Sequence, residues 1–188
     1  MNDSTKRVAI VGSGPAAFYS AMELLRHDDP MVSVDMLERL PTPYGLVRGG
    51  VAPDHEKIKS VTKIFERAAG HPRFRFFGNV EFGKDIQRLD LLQRYHAVIY
   101  AFGSRTDRHL NIIGETLKGS HAATEFVGWY NGHPDYRHHQ FDLTSKRVAI
   151  IGMGNVAIDC ARTLCQDPEN LAKTDIAQHA LEALRQSQ

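Results

Sequence analysis

The chain has little cysteine, one tryptophan, almost no net charge and no long apolar run, and each scarcity excludes a class of protein. Of its 188 residues only two are cysteine, too few for a disulfide framework or for the cysteine clusters that hold iron-sulfur centres. Cys160 and Cys165 are five apart, about 140° round a helix at 3.6 residues per turn, so they neither pair nor share a ligand face. Both are expected to be packing residues. The sequence holds no Cys-x-x-Cys, the redox dithiol that a disulfide reductase needs. With 23 basic and 22 acidic residues the net charge is +1, which demands neither a nucleic acid nor a membrane surface as partner. No run approaches the roughly 20 apolar residues of a membrane span. The first strand is read directly after Met1-Asn2-Asp3-Ser4-Thr5, which leaves no room for a leader and points to a cytoplasmic location. His133, His138 and His139 lack a His-Glu-x-x-His or Cys-rich setting and are read as solvated loop residues rather than metal ligands.

What is present begins at once. Lys6-Arg7-Val8-Ala9-Ile10-Val11-Gly12-Ser13-Gly14-Pro15-Ala16-Ala17 runs an apolar, β-branched strand into two glycines and then into helical spacing at Ala17, Ala21, Leu24 and Leu25. Strand, tight turn and helix in that order form a dinucleotide-binding, Rossmann-like fingerprint. Gly12 makes the turn, Gly14 lets backbone approach a pyrophosphate, and the helix N-terminus supplies N–H groups and partial positive charge. Ala17 stands at the third glycine position, as the motif permits. A second strand, Val34-Asp35-Met36-Leu37, ends at Glu38, 21 residues after Ala17, near the spacing of the acid that binds ribose hydroxyls. Glu38 is alternatively a surface acid at a strand end. Lys146-Arg147-Val148-Ala149-Ile150-Ile151-Gly152-Met153-Gly154-Asn155-Val156-Ala157 repeats the first stretch 140 residues on, implying two nucleotide sites.

Between the fingerprints, residues 41–55 hold three prolines and three glycines, which predicts a long shaped loop that is neither helix nor central strand. Asp54 can cap a following helix in which Ile58, Val61, Ile64, Phe65 and Ala68 keep helical spacing. Residues 73–77 and 80–82 read as extended, 89–92 as a helical turn, 96–103 as a buried central parallel strand, 122–130 as a helix and 175–184 as another. Strand, helices and no further strand after the second fingerprint mark an incomplete second unit, because a single strand cannot bury its own apolar face. The fold expected is α/β with two Rossmann-like domains, residues 1–105 and 106–188, the second being only the start of its fold.

Five segments together resemble the adrenodoxin-reductase type of ferredoxin-NADP reductase over essentially the whole chain. They are Val11 to Tyr19, Pro43-Tyr44-Gly45-Leu46-Val47-Arg48, Gly50-Val51-Ala52-Pro53-Asp54-His55, Phe126-Val127-Gly128-Trp129-Tyr130-Asn131 and Gly154-Asn155-Val156-Ala157-Ile158-Asp159. The resemblance implies FAD on the first unit, NADP on the second, and electrons passing from NADPH through the flavin to a ferredoxin-like iron-sulfur protein. It puts Gly12, Gly14, Pro15, Ala16 and Ala17 along the FAD pyrophosphate, Glu38 on the adenosine ribose, Leu46 and Val47 along the flavin and Phe82 at adenine through its backbone. Met153, Gly154, Asn155 and Val156 would take the NADP pyrophosphate, with Arg108 a phosphate contact; Arg108 otherwise reads as a solvated loop charge. Met153 departs from the polar residue usual in the family. His55 is the titratable group of the special loop and the catalytic candidate, its other reading being a first-turn helix residue satisfied by Asp54 or water. Trp129 and Tyr130 read as packing groups. Against a reductase stands a nucleotide-binding fragment without turnover, and poor flavin retention is expected of this chain.

Overall fold

The computed structural model describes residues 5–104 and 107–187. They divide into two compact units: residues 5–48 with 57–104, and residues 49–56 with 107–187.

The first unit is a parallel α/β sheet. Strands β1 (Lys6–Val11), β2 (Val32–Leu37), β3 (Phe74–Phe77) and β4 (Ala97–Tyr100) lie in the order β3-β2-β1-β4. Helix α1 (Pro15–Leu25) crosses from β1 to β2, and α2 (Leu46–Gly49), α3 (Glu56–Lys59) and α4 (Thr62–Ala69) lie between β2 and β3. Helix α5 (Arg88–Arg94) precedes β4 and opens on a capping box between Gln87 and Asp90. The core gathers Val8 and Ile10 of β1, Val34 and Met36 of β2, Ala17, Phe18 and Ala21 of α1 and Phe65 of α4. Small residues at positions 17 and 21 let α1 approach the sheet closely, and Phe18 fills the remaining space against Phe65, Phe74 and Tyr44.

Among the described residues one polar side chain is buried in the strands of this sheet. Asp35 is buried in β2 and stands directly across from Arg75 of β3. Arg75 donates to both of its oxygens, at 2.7 and 2.6 Å, and the Tyr95 hydroxyl donates at 2.8 Å. Burial alone would push the Asp35 carboxyl up, but the hydrogen bonds from Arg75 and Tyr95 and the charges of Arg75 and Arg7 outweigh it and hold the group below the usual carboxylate range. A carboxyl lowered in the folded state stabilises fully above its unfolded value of about 4, and that contribution disappears as pH falls through the folded value. Asp35→Asn is therefore expected to lose about 1–3 kcal/mol at neutral pH. In urea unfolding, the gap between it and the unsubstituted chain narrows below about pH 4. A pH-independent gap would contradict this role.

The second unit is helical. It contains α6 (Ala123–Tyr130), α7 (Asn155–Cys165), α8 (Pro168–Leu171) and α9 (Gln178–Gln186). Phe126, Val127, Trp129 and Tyr130 pack with Cys160 and Ala180, and Leu171, Leu181 and Leu184 form a second cluster. Trp129 and Tyr130 are thus core residues.

Several expectations are corrected. Residues 97–100 form an edge strand of the described sheet, paired only to β1 and partly exposed, rather than a central covered one. Apolarity records what a strand is able to bury and does not say on which side a neighbour stands. The loop 41–55 contains a helical turn, α2, because its prolines flank residues 46–49 instead of interrupting them. Residues 146–151 are not in a strand: among the described residues nothing pairs with them, and Val148 and Ile151 are exposed. Strand geometry needs a partner ladder, which apolar patterning alone does not supply. Cys165 is exposed, so only Cys160 is a packing residue. Burial, with the nearby charge of Asp159, pushes the Cys160 thiol up to about 11, leaving it an inert small apolar group.

Candidate functional site

The first glycine turn is built where β1 ends. Gly12 has φ of +102° and Gly14 is the N-cap of α1 in extended backbone, φ −77° and ψ −175°. Pro15 occupies the first helical position, where its missing N–H costs nothing. The first backbone bond of the helix runs from Phe18 N–H to Gly14 O at 3.1 Å, so the N–H groups of Ala16 and Ala17 have no partner within the helix and face its N-terminus. A Cβ built on Gly14 meets no atom within 4 Å. The Ala17 side chain is fully buried, so this residue can touch a ligand only through its backbone.

Two neighbours complete the turn. Ser13, itself buried, donates its hydroxyl to Glu38 Oε2 at 2.6 Å, and Leu40 N–H donates to Glu38 Oε1 at 3.0 Å. Glu38 thus stands at the carboxyl end of β2 with both of its carboxylate oxygens oriented by these bonds. Tyr44 N–H donates to Ser13 O at 2.9 Å, tying the loop after β2 to the turn after β1. Within that loop Leu46 is exposed and Val47 is buried in the core. The side chain of Val47 is therefore not available to line a flavin, and only its backbone is. Phe82 is half-buried against Tyr100, ring centroids 5.3 Å apart.

The second turn repeats the first in backbone. Gly152 has φ of +125°, Gly154 caps α7 at φ −78° and ψ 174°, and Ile158 N–H reaches Gly154 O at 3.1 Å. A Cβ on Gly154 also meets nothing within 4 Å. Its sequence neighbours Met153, Asn155 and Val156 are exposed; Arg108 is exposed as well, with no contact that brings it to this turn among the described residues. The two sequence copies have become two copies of one backbone geometry, a positive-φ glycine followed by an extended glycine at a helix N-cap.

A third constellation lies in the second unit. Arg162 of α7 bonds His55 Nε2 at 2.8 Å and Asp159 at 2.9 Å through Nη1, and bonds Asp54 through Nη2. Asp159 Oδ1 is 3.7 Å from His55 Nδ1. Asp54 therefore serves an ion pair rather than capping α3, which starts at Glu56. Tyr130 is fully buried, and its hydroxyl has no hydrogen-bond partner among the described residues. Its pKa is pushed up by burial and further by Cys160 and by the carboxylates of Asp159 and Asp54. The sequence pattern alone does not mark Asp159 or Arg162 as site residues. Their i, i+3 spacing marks a helix-face pair but does not name a partner 107 residues away in sequence. Among the described residues no group of three or more His, Cys, Asp or Glu could hold a metal, and no helix is long and apolar enough to cross a membrane.

Comparison with known proteins agrees with this geometry. The chain is 58% identical over 182 residues to NADPH-ferredoxin reductase FprA of Mycobacterium leprae (strain TN), covering 95% of this chain and 40% of that protein. It is 51% identical over 181 residues to the mitochondrial NADPH:adrenodoxin oxidoreductase of Arabidopsis thaliana, covering 96% of this chain and 37% of the relative. The structure of Mycobacterium tuberculosis FprA in complex with NADPH superposes with a TM-score of 0.94 at 57% identity, over 97% of this chain and 41% of that one. The chain thus spans about 40% of the length of these relatives. Residues 6–183 match the pyridine nucleotide-disulphide oxidoreductase family, and with a parallel sheet opening on a glycine turn and a second turn of the same form, the chain belongs to that family.

Proposed function

We propose that this chain is the nucleotide-binding portion of a ferredoxin-NADP reductase of the adrenodoxin-reductase type, which passes electrons from NADPH through FAD to a ferredoxin-like iron-sulfur protein. The observation that carries the proposal is the duplicated turn: two glycine pairs with matching dihedrals, each at the N-terminus of an 11-residue helix and each with open space where a Cβ would stand. The likeness to proteins named for NADPH and for ferredoxin or adrenodoxin supports the choice of cofactors and electron acceptor.

In this proposal residues 1–105 carry FAD and residues 106–188 carry NADP. The backbone of Gly12, Gly14, Ala16 and Ala17, with Pro15 pre-set at the first helical position, receives one diphosphate. Glu38, oriented by Ser13, takes ribose hydroxyls, while Leu46, the Val47 backbone and Phe82 border the rest of the first cofactor. Met153, Gly154, Asn155 and Val156 receive the second diphosphate, with Arg108 at a phosphate. FAD, when bound, supplies the exchange between two-electron and one-electron carriers. The chain's own work is to bind, orient and exclude water, and to handle a proton at His55. A cytoplasmic location belongs to the same proposal, supported by cysteines that remain unpaired.

A second reading has its own observation. The strand expected before the second turn is unformed, and its apolar residues are exposed, which favours binding without turnover. Titration of the chain with FAD, read by quenching of flavin fluorescence, followed by anaerobic addition of NADPH, separates the two. Weak, saturable FAD binding with bleaching of the flavin absorbance is the result expected of a reductase. Binding of both nucleotides without bleaching supports the fragment, and a folded chain that binds neither overturns both.

A further inference from the structure

We propose that Arg162 is a positioning residue that fixes His55 in the neutral tautomer with its proton on Nδ1. The inference deepens the reading of His55 as the proton-handling group and rests on it for its meaning, though not for its test.

A guanidinium only donates hydrogen bonds. At 2.8 Å from Arg162 Nη1, His55 Nε2 must therefore be the acceptor, its lone pair engaged. The neutral ring then carries its hydrogen on Nδ1, and Nδ1 is the nitrogen that faces Asp159 Oδ1 at 3.7 Å. Nη1 has two hydrogens and two acceptors, His55 Nε2 and Asp159 Oδ1. Nη2 takes Asp54, the neighbour of His55 in sequence. One planar fork thus holds two consecutive residues of the segment 49–56 and one residue of its own helix, which the single point charge of lysine cannot reproduce. While Arg162 is engaged, Nε2 is closed to protons, and exchange at His55 is confined to Nδ1 and its carboxylate neighbour Asp159.

The test is nitrogen-15 NMR of the imidazole ring in alkaline buffer, with His55→Gln identifying the signals. The expected pattern is a protonated Nδ1 and an unprotonated Nε2, opposite to the tautomer that predominates for free imidazole side chains in water. Arg162→Met, which removes every donor, is expected to return His55 to the Nε2–H form. Asp54→Asn leaves the Nη1 bond and is expected to keep the Nδ1–H form. An Nε2–H pattern in the unsubstituted chain overturns the proposal by itself, even if Arg162→Met fails to fold; so does an Nδ1–H pattern that survives in Arg162→Met. Failure of FAD to bind while the Nδ1–H pattern is present counts against the proposed function and leaves Arg162 in its role.

Discussion

Replacing Gly12 by alanine is expected to cost about 3–5 kcal/mol, against about 1–2 kcal/mol for the same change at Gly152, although the two glycines occupy the same place in the same motif. Both have positive φ, +102° and +125°, where a side chain is strained. Their surroundings differ. A Cβ at Gly12 would lie 2.6 Å from Ala101 C and 2.7 Å from Phe102 Cα, backbone that continues β4. It cannot be accommodated without moving β4 off β1. At Gly152 the nearest heavy atom is Ala157 Cβ at 3.8 Å, an ordinary contact. Gly12→Ala therefore adds overlap to strain, and against a total stability of 5–15 kcal/mol its loss is a large share. Urea unfolding followed by circular dichroism checks the pair. Equal losses would show that the turn after β1 is not wedged against β4.

Truncation of Phe18 to alanine is expected to be similarly severe, about 3–5 kcal/mol. The ring is buried, lies 4.9 Å from Phe65 and 6.1 Å from Phe74 between centroids, and supports Tyr44 at 5.2 Å. Tyr44 is a non-glycine residue at φ 90°, a conformation that persists only when its surroundings hold it. Its restraints are the N–H bond to Ser13 O, the Val47 N–H bond to its own carbonyl, the Arg48 guanidinium over its ring and the packing of that ring on Phe18 and Phe65. Loss of Phe18 thus removes core area and also loosens the loop that borders the first turn. Faster amide exchange across residues 42–48 should accompany the fall in stability. Phe18→Leu, which refills most of the volume, should recover more than half of it. A cost below about 1 kcal/mol for Phe18→Ala, far under the usual range for a buried aromatic ring, would contradict the placement.

The glycine turns were legible in the sequence because their constraint is local. A strand that must reverse into a helix within three residues demands positive φ and a small N-cap, and both copies state that demand in adjacent letters. The place of Glu38 just after β2 was legible from the strand pattern, though Ser13, which bonds it, was not separated from its motif. Non-local pairing was illegible. Whether residues 97–100 stand at an edge depends on what lies beyond them, and residues 146–151 carry a strand pattern with nothing to pair among the described residues. The Asp35–Arg75 ion pair appears only once the register of β2 on β3 is known. The fork of Arg162 on Asp54 and His55 joins segments more than 100 residues apart, with no periodicity to announce it. The burial of Val47 beside an exposed Leu46 likewise follows from the turn of α2, which proline and glycine content concealed.

Gly14→Ala tests the central claim most directly, because it separates folding from binding. At φ −77° alanine is unstrained, and its Cβ meets no protein atom within 4 Å, so the loss of stability should not exceed about 1 kcal/mol, the cost of alanine in place of glycine at a helix N-cap. That Cβ would occupy the space assigned to a diphosphate. FAD titrated against both proteins, with thermal unfolding recorded on the same samples, should show affinity falling at least about tenfold, roughly 1.4 kcal/mol, with the chain still folded and only a small fall in its melting temperature. Undiminished FAD affinity in a folded Gly14→Ala chain would mean that no diphosphate rests on this turn.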